Sequence, residues 1–331
     1  MNRSKIILSL LLVAAAFTPQ VSAGDGDGGY AGAFFQVPIG ARPTAMGGAY
    51  RSLSDDGAGP LFNPAGAALV KKPIFGSSYR TMKFGRRLGY ASVLVPTANR
   101  STLGLNWLYS GSGGVERRNY DGDALGDELT MHQNAFGLVF AVRFEEFLSL
   151  GVKGNYLTAR FAEMDVYSVG IDVGAMLFID QLLSPRRDLP WPVQDVRVGV
   201  TVKYIDAKFN WNNEKYILRY VDGESGVGTE QEDVVPMEFG LGISGRLMQK
   251  KLVVAADISK NDKQGVEFHL GSEYFFKPEV VVRAGYGKGR LAFGGGYLFT
   301  VGSMGLALDY AFSLERAGEG SEHIFSFDLL F

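Results

Sequence analysis

The sequence has no cysteine and only three histidines among its 331 residues. Without cysteine there is no disulfide framework, thiolate nucleophile, iron–sulfur ligand or zinc finger. Charge of neither sign is in real excess: 33 Lys and Arg stand against 35 Asp and Glu, a net of −2 with a pI near 6.0. That balance leaves no basic footprint, so no nucleic-acid partner is expected. Beyond residue 23 no long uninterrupted apolar run occurs, which excludes membrane-spanning helices from that part of the chain. Glycine is abundant instead, with 44 residues, and aromatics make up 12% of the chain. So much apolar material excludes intrinsic disorder.

Residues 1–23 read as a signal peptide. Arg3 and Lys5 form a positive start, Ile6 to Phe17 an apolar core, and Val21-Ser22-Ala23 a small-residue cleavage site. Cleavage is expected after Ala23, and the core is short of the roughly 20 residues a spanning helix needs. The mature chain is expected to be exported.

From Ile74 to Phe331 the dominant pattern is period-two alternation, in fourteen runs of strand length bounded by Gly, Asn, Asp and Pro. In DVRVGVTVKYI, Val196, Val198, Val200, Val202 and Tyr204 share one face, with Arg197, Gly199, Thr201 and Lys203 on the other. Tyr167 to Leu177 and Phe136 to Phe144 repeat the pattern. The apolar faces of the clearest strands carry no Asp, Glu, Lys or Arg; the opposite faces carry Arg143, Lys153, Asp172, Arg197, Lys203, Glu238, Asp257, Glu267, Glu273, Arg283, Asp309 and Asp328. A lipid-facing Arg or Lys at mid-bilayer costs about 2–4 kcal/mol, so a clean outer band with a polar bore is the pattern of a transmembrane barrel. A soluble sandwich would also hide one face of each strand. Three features favour the membrane: the leader, aromatics at strand ends (Trp107, Tyr109, Tyr156, Tyr204, Tyr274, Phe276, Tyr286, Phe299, Phe312), and the closing alternation of Phe325, Phe327, Leu329 and Phe331. That last strand resembles the C-terminal insertion signal of outer-membrane barrels, which implies the barrel-assembly machinery and the lipid bilayer of the outer membrane of a diderm bacterium as partners.

Connection lengths orient the barrel. With the last strand running into the periplasm, Glu145-Glu146, Met248 to Lys251, Lys277-Pro278 and Gly302-Ser303 become tight periplasmic turns. Gly111 to Gln133 and Asn210 to Asp233 become long outer loops, while Asp180 to Gln194 is a long connection on the periplasmic side.

Residues 24–73 differ from the rest. Gly40 to Val70 lacks alternation and is rich in Gly, Ala and Pro. Asn63 can cap a short helix with Pro64 at its first position, which Ala65 to Val70 can continue, and Gly47-Gly48 permits a turn with positive φ. The segment is expected to plug the lumen of a barrel formed by residues 74–331; a periplasmic arm is the alternative.

Gly40-Ala41-Arg42, Met46-Gly47-Gly48-Ala49-Tyr50, Asp55-Asp56 and Asn63-Pro64-Ala65-Gly66 together resemble the amino-terminal signature of PorV/PorQ-like outer-membrane proteins, relatives of the FadL-type channels for hydrophobic compounds. The resemblance implies an all-β fold: a 14-stranded antiparallel transmembrane β-barrel with an N-terminal hatch in the lumen. It also implies that Gly47, Gly48, Asp55, Asp56, Asn63, Pro64, Ala65 and Gly66 belong to the hatch or its gating. PorV-like members serve protein secretion; FadL-like members pass greasy ligands toward an opening in the wall.

Motifs for chemistry are weak. Gly240 to Gly245 matches G-x-G-x-x-G but continues a period-two strand without a βαβ unit. Asp121 to Glu128 begins like a calcium loop, yet Leu125 and His132 stand where ligands belong. Glu267, His269 and Glu273 share the inward face as a lumenal polar cluster, the one group that could do acid–base work, although a charge network is the simpler reading. No cofactor or metal is expected. Three functions follow: a secretion-associated barrel with a protein partner at its outer rim, as the main reading; a FadL-like channel for hydrophobic ligands with a wall gap near Ser110 to Gly114, as the alternative; and a membrane enzyme, disfavoured by the absence of HExxH and GxSxG.

Overall fold

Strands that are apolar on one side and polar on the other are stable in hydrocarbon only when the sheet closes, because an open edge leaves N–H and C=O groups unpaired. The computed structural model describes residues 30–83, 85–97, 100–118, 121–161, 164–183, 192–212, 230–314 and 320–331. The leader and residues 24–29 lie outside these.

The strands are β1 (Ile74–Thr81), β2 (Arg87–Thr97), β3 (Ser101–Arg118), β4 (Ala124–Glu145), β5 (Leu148–Phe161), β6 (Met164–Phe178), β7 (Gln194–Ile205), β8 (Lys208–Asn212), β9 (Glu230–Val234) and β10 (Glu238–Leu247). They continue as β11 (Leu252–Asn261), β12 (Glu267–Lys277), β13 (Val280–Gly287), β14 (Arg290–Val301), β15 (Met304–Ser313) and β16 (Glu322–Leu330). Fourteen of them close an antiparallel barrel in which β1 pairs with both β2 and β16; β8 and β9 form a separate two-stranded sheet. Among the described residues no helix is long and apolar enough to cross a membrane.

Outward positions are apolar and exposed, among them Leu105, Leu138, Val169, Ile243, Phe268 and Phe325. Phe327, Leu329 and Phe331 continue that face on and just after β16, and the Phe331 amide donates to the Pro73 carbonyl at 3.1 Å. Inward positions hold the expected charges: Lys153, Asp172, Lys203, Glu238, Asp257, Glu273 and Arg283 are all buried. A closed barrel with such a belt belongs in the outer membrane of a diderm bacterium.

Two loop expectations need correction. Residues 111–133 are not a loop: β3 runs to Arg118 and β4 starts at Ala124, so this hairpin rises as paired strand, with register shifts near its tip. Within 210–233, β8 and β9 hold both ends and residues 213–229 lie outside the described residues. The connection at 180–194 does fall on the side of the short turns, and α2 (Ile179–Leu183), defined ahead of residues outside the description, begins it.

The lumen is filled by residues 33–70. A 3-10 turn (Ala33–Gln36), the single-turn helix α1 (Ala41–Ala45) and 3-10 turns at Gly59–Leu61 and Pro64–Leu69 carry this segment across the bore. Helix α1 packs on the wall formed by β13 to β16, and the Pro64–Leu69 turn packs on β3 to β6. Toward the outer end, Phe34 and Ile39 join Leu88, Leu108, Leu157, Tyr204 and Phe209 in the largest apolar cluster.

Candidate functional site

The hatch, residues 33–70, is stitched to the wall by its backbone as much as by its side chains. Asp257 on β11 accepts hydrogen bonds from the Tyr50 and Arg51 amides at 2.8 and 2.9 Å, and Asp328 on β16 accepts one from the Gly57 amide at 3.1 Å. Arg51 reaches Glu238 at 2.6 Å, and Glu238 also takes Lys203 at 3.2 Å. Arg42 lies between the hatch and the wall: its guanidinium meets Glu273 on β12 and Asp55, each at 2.9 Å. Removing one partner from such a buried pair leaves a charge without compensation, at a cost of about 3–5 kcal/mol.

Each hatch residue singled out in the sequence has a definite place. Gly47 and Gly48 take φ of +64° and +88°, which lets the chain turn back against the wall. Asp55 pairs with Arg42 and with Arg197 at 3.1 Å; burial alone would raise its pKa, but the two arginines outweigh it and hold it at about 2. Asp56 behaves oppositely. Burial pushes its pKa up, Arg42 and the Tyr50 hydroxyl that donates to it offset this in part, and the charge of Asp55 adds to the rise. The Asn63 side chain accepts from the Ala65 amide at 3.0 Å and donates to the Arg51 carbonyl at 2.9 Å, with Pro64 in the first turn and Ala65 and Gly66 buried behind it.

The polar cluster proposed on β12 divides. His269 Nε2 lies 3.7 Å from Glu267, and its Nδ1 lies 2.7 Å from the Gly47 carbonyl oxygen. Glu273, four residues further on, belongs instead to Arg42 and to Arg283 at 2.6 Å. Residues alternating on one strand share a face, but this spacing separates them by about 13 Å along it, so the three do not form one acid–base group.

The feature that sequence reasoning missed is a break in the wall between β6 and β7. Their ladder runs from Phe178 and Arg197 up to Ile171 and Ile205, with a register shift between Ile171 and Val173; above it β6 continues to Met164 paired with β5 but no longer with β7. At that level β7 kinks: Tyr204 and Asp206 both have positive φ, +60° and +57°. Tyr204 therefore leaves the outward face of Val196 to Val202 and is buried inside, stacked on Phe35 with ring centroids 4.8 Å apart. Wall side chains replace the lost ladder bonds. Asp172, held by Lys153 at 2.7 Å, accepts from the Tyr204 amide at 2.9 Å, and Ser168 Oγ accepts from the Lys208 amide at 2.8 Å. The expected gap at Ser110 to Gly114 is absent, because these residues lie within β3 and most of them pair with β4.

Beside the break lies a largely apolar cleft of about 740 Å³, reaching from Val93 and Trp107 across Phe136 and Tyr156 to Ile205 and Asp206. Gly137, Gly154 and Gly170, on three successive strands, line it. A Cβ on Gly154 would meet nothing within 4 Å. At the outer end a vestibule of about 530 Å³ opens above the hatch, lined by Phe34, Met82, Leu88 and Met131 together with Arg80 and Arg290. Between hatch and wall the cavities beside Arg51 and Arg42 shrink to about 50 and 10 Å³.

No protein-family model matches the chain. No curated protein matches it either. Solved structures do. The toluene transporter TodX of Pseudomonas putida is similar over 87% of this chain and 95% of its own, with a TM-score of 0.57 at 13% identity. The chain has the FadL-type barrel fold. A FadL homologue from Pseudomonas aeruginosa matches over 89% of this chain and 98% of its own, with a TM-score of 0.58 at 11% identity. The toluene transporter TbuX of Ralstonia pickettii matches over 88% and 98%, with a TM-score of 0.57 at 12% identity. The PorV/PorQ resemblance finds no counterpart among these matches.

Proposed function

We propose that this FadL-type barrel is a channel for small hydrophobic compounds, in which the hatch closes the bore and the cleft beside the β6–β7 break serves as a door in the wall. The single observation that carries the reading is the cleft itself: an apolar space of about 740 Å³ placed where the ladder is interrupted. Interrupting a ladder at membrane depth costs unpaired backbone groups unless side chains replace the bonds, and Asp172 and Ser168 do so here. A hydrophobic solute entering the vestibule meets a bore narrowed to about 50 Å³ beside Arg51 and Lys203, so the lipid side is the cheaper direction for an apolar molecule. TodX and TbuX, which share the fold, are toluene transporters, and this favours the channel over the secretion-associated reading.

Uptake of radiolabelled toluene by cells expressing the protein tests the reading. Uptake above an empty-vector control is expected, and Gly154→Phe, at a position where a Cβ would meet nothing within 4 Å, should obstruct the cleft and lower it at least about fivefold. No uptake above the control, combined with exported proteins retained on the purified barrel, overturns the channel in favour of a secretion-associated role.

A further inference from the structure

The lipid-facing side of β2 to β6 is ordered in rows by the ladder. In register, Val93, Leu105, Leu138, Gly154 and Ile171 form one row, and Ala91, Trp107, Phe136, Tyr156 and Val169 form the next toward the outer end. Residues two apart on a strand share a face, so the rows continue as Gly89, Tyr109, Asn134, Thr158 and Tyr167, and then as Arg87, Gly111, His132, Arg160 and Asp165. The wall thus passes from apolar to aromatic to hydrogen-bonding to cationic, each row about 7 Å above the last. Trp107 Nε1 donates upward to Asn134 Oδ1 at 3.1 Å, and the Tyr109 hydroxyl lies 2.9 Å from His132 Nδ1. Aromatic rings with their polar atoms turned this way mark the headgroup level. Below it lies a slot: a Cβ on Gly154 would meet nothing within 4 Å, while Leu138 and Ile171 stand on either side. These two are two strand spacings apart, about 10 Å, which leaves the width of one hydrocarbon chain between their side chains. Above it, Arg87 is exposed and has no ion-pair partner among the described residues. Arg160 meets Asp165 at 3.5 Å, but both side chains are largely in solvent, 64% and 67% exposed, where such a pair is worth little. On β12 to β14 the outward positions at this end are Phe268, Tyr286 and Leu291, so a cationic row is not general to the rim.

We propose that this sector of the wall binds a phosphorylated glycolipid of the outer leaflet, with a phosphate on each of Arg87 and Arg160 and an acyl chain in the slot over Gly154. The inference goes beyond the channel reading and does not depend on it. Arginine offers phosphate two N–H donors in one plane. The row geometry decides the rest of the occupant. Arg87 and Arg160 are three strand spacings apart, about 14 Å, a span that a disaccharide with a phosphate at each end bridges and a single phosphate does not. Between them Gly111 has no side chain, and the Tyr109 hydroxyl lies over it: a Cβ there would come within 2.3 Å of that oxygen. Tyr109 and His132 therefore form a low polar shelf for sugar hydroxyls. A soluble diphosphate would leave the slot empty, and a zwitterionic lipid would bring no net charge to the two arginines. On the channel reading, the bound chain is the first hydrocarbon met by a solute that passes the β6–β7 break.

The test is a titration of the full barrel in detergent with diphosphoryl lipid A, the retained lipid being counted by native mass spectrometry. A saturable adduct of about one lipid per barrel is expected. Arg87→Gln with Arg160→Gln should raise the half-saturating concentration at least about tenfold. Lys250→Gln with Lys251→Gln, which removes two exposed cations from the turn at the other rim, should leave it unchanged. No saturable adduct, equal retention by the arginine pair, or an equal loss in the lysine pair overturns the site. Should the arginine pair fail to migrate as folded on an unheated gel, wild type gives the second reading: monophosphoryl lipid A should bind about tenfold more weakly than the diphosphoryl form, and equal midpoints refute the proposal. None of these readouts involves a solute, so their failure leaves the channel reading standing, and a barrel that takes up no toluene leaves the lipid site standing.

Discussion

Gly285 on β13 faces Gly47 of the hatch so closely that a Cβ on Gly285 would lie 2.2 Å from the Gly47 amide nitrogen. The contact is reciprocal, since a Cβ on Gly47 would lie 2.4 Å from the backbone nitrogen of Tyr286. The hatch rests on bare backbone here, and neither partner is a flexible side chain that could move aside. Gly285→Ala should therefore unseat the Met46–Gly48 turn while leaving the ladder of β13 intact. The expected result is higher basal conductance in planar bilayers, with the unfolding temperature of the barrel changed little. Conductance equal to wild type would show that the turn is free to lift away without consequence.

Asp257 is the second place where hatch and wall depend on one group. Its carboxylate accepts from two consecutive hatch amides and sits 3.4 Å from the Arg51 guanidinium. Asp257→Ala leaves both buried amides without acceptors and should loosen the hatch by about 3–5 kcal/mol, the range for removal of one member of a buried charged group. Limited proteolysis of the barrel in detergent checks this: cleavage within residues 40–70 should appear in the variant and not in wild type.

The pair Asp55 and Asp56 makes opposite pH demands on the hatch. Asp55 is held at about 2, below the ordinary carboxylate pKa near 3.9, so its contribution is complete above pH 4 and is lost as pH falls toward 2. The Asp56 pKa is raised, so its contribution is complete at low pH and declines as pH rises through that raised value. Asp55→Asn should expose the hatch to protease at pH 7, whereas Asp56→Asn should leave it protected. In wild type, protection should persist at pH 5 and fail near pH 2.5. Loss of protection already at pH 5 would show that Arg42 and Arg197 do not hold Asp55.

The sequence conveyed the barrel because lipid imposes a rule that every strand obeys separately: an apolar residue at every second position. The plug was legible at Asn63, whose cap and following proline are local chemistry. The wall break was not. On β7 the alternation runs unbroken through Tyr204, and only the backbone turn to φ +60° carries that ring inside. Positive φ at a tyrosine has no sequence signal. Its support comes from Asp172, more than thirty residues earlier, so it is a tertiary effect. The split of Glu267, His269 and Glu273 has the same origin, because Arg42 and Arg283, from distant parts of the chain, claim Glu273.

Asp172 is the residue on which the kink at the wall break depends. Its carboxylate is the acceptor for the Tyr204 amide at the kink and the ion partner of Lys153, whose ammonium also donates to the Pro60 carbonyl of the hatch at 3.3 Å. Positive φ at a bulky residue such as Tyr204 costs on the order of 1–3 kcal/mol and persists only where surrounding groups enforce it. Asp172→Asn keeps an acceptor oxygen for the Tyr204 amide and gives up the charge; Asp172→Leu gives up both. If the kink is held by the hydrogen bond, toluene uptake should survive in the asparagine variant and fall at least about fivefold in the leucine variant as β7 straightens against β6. If the charge holds it, both variants should lose uptake. Uptake unchanged in the leucine variant, in a barrel that still migrates as folded on an unheated gel, would separate the kink from transport.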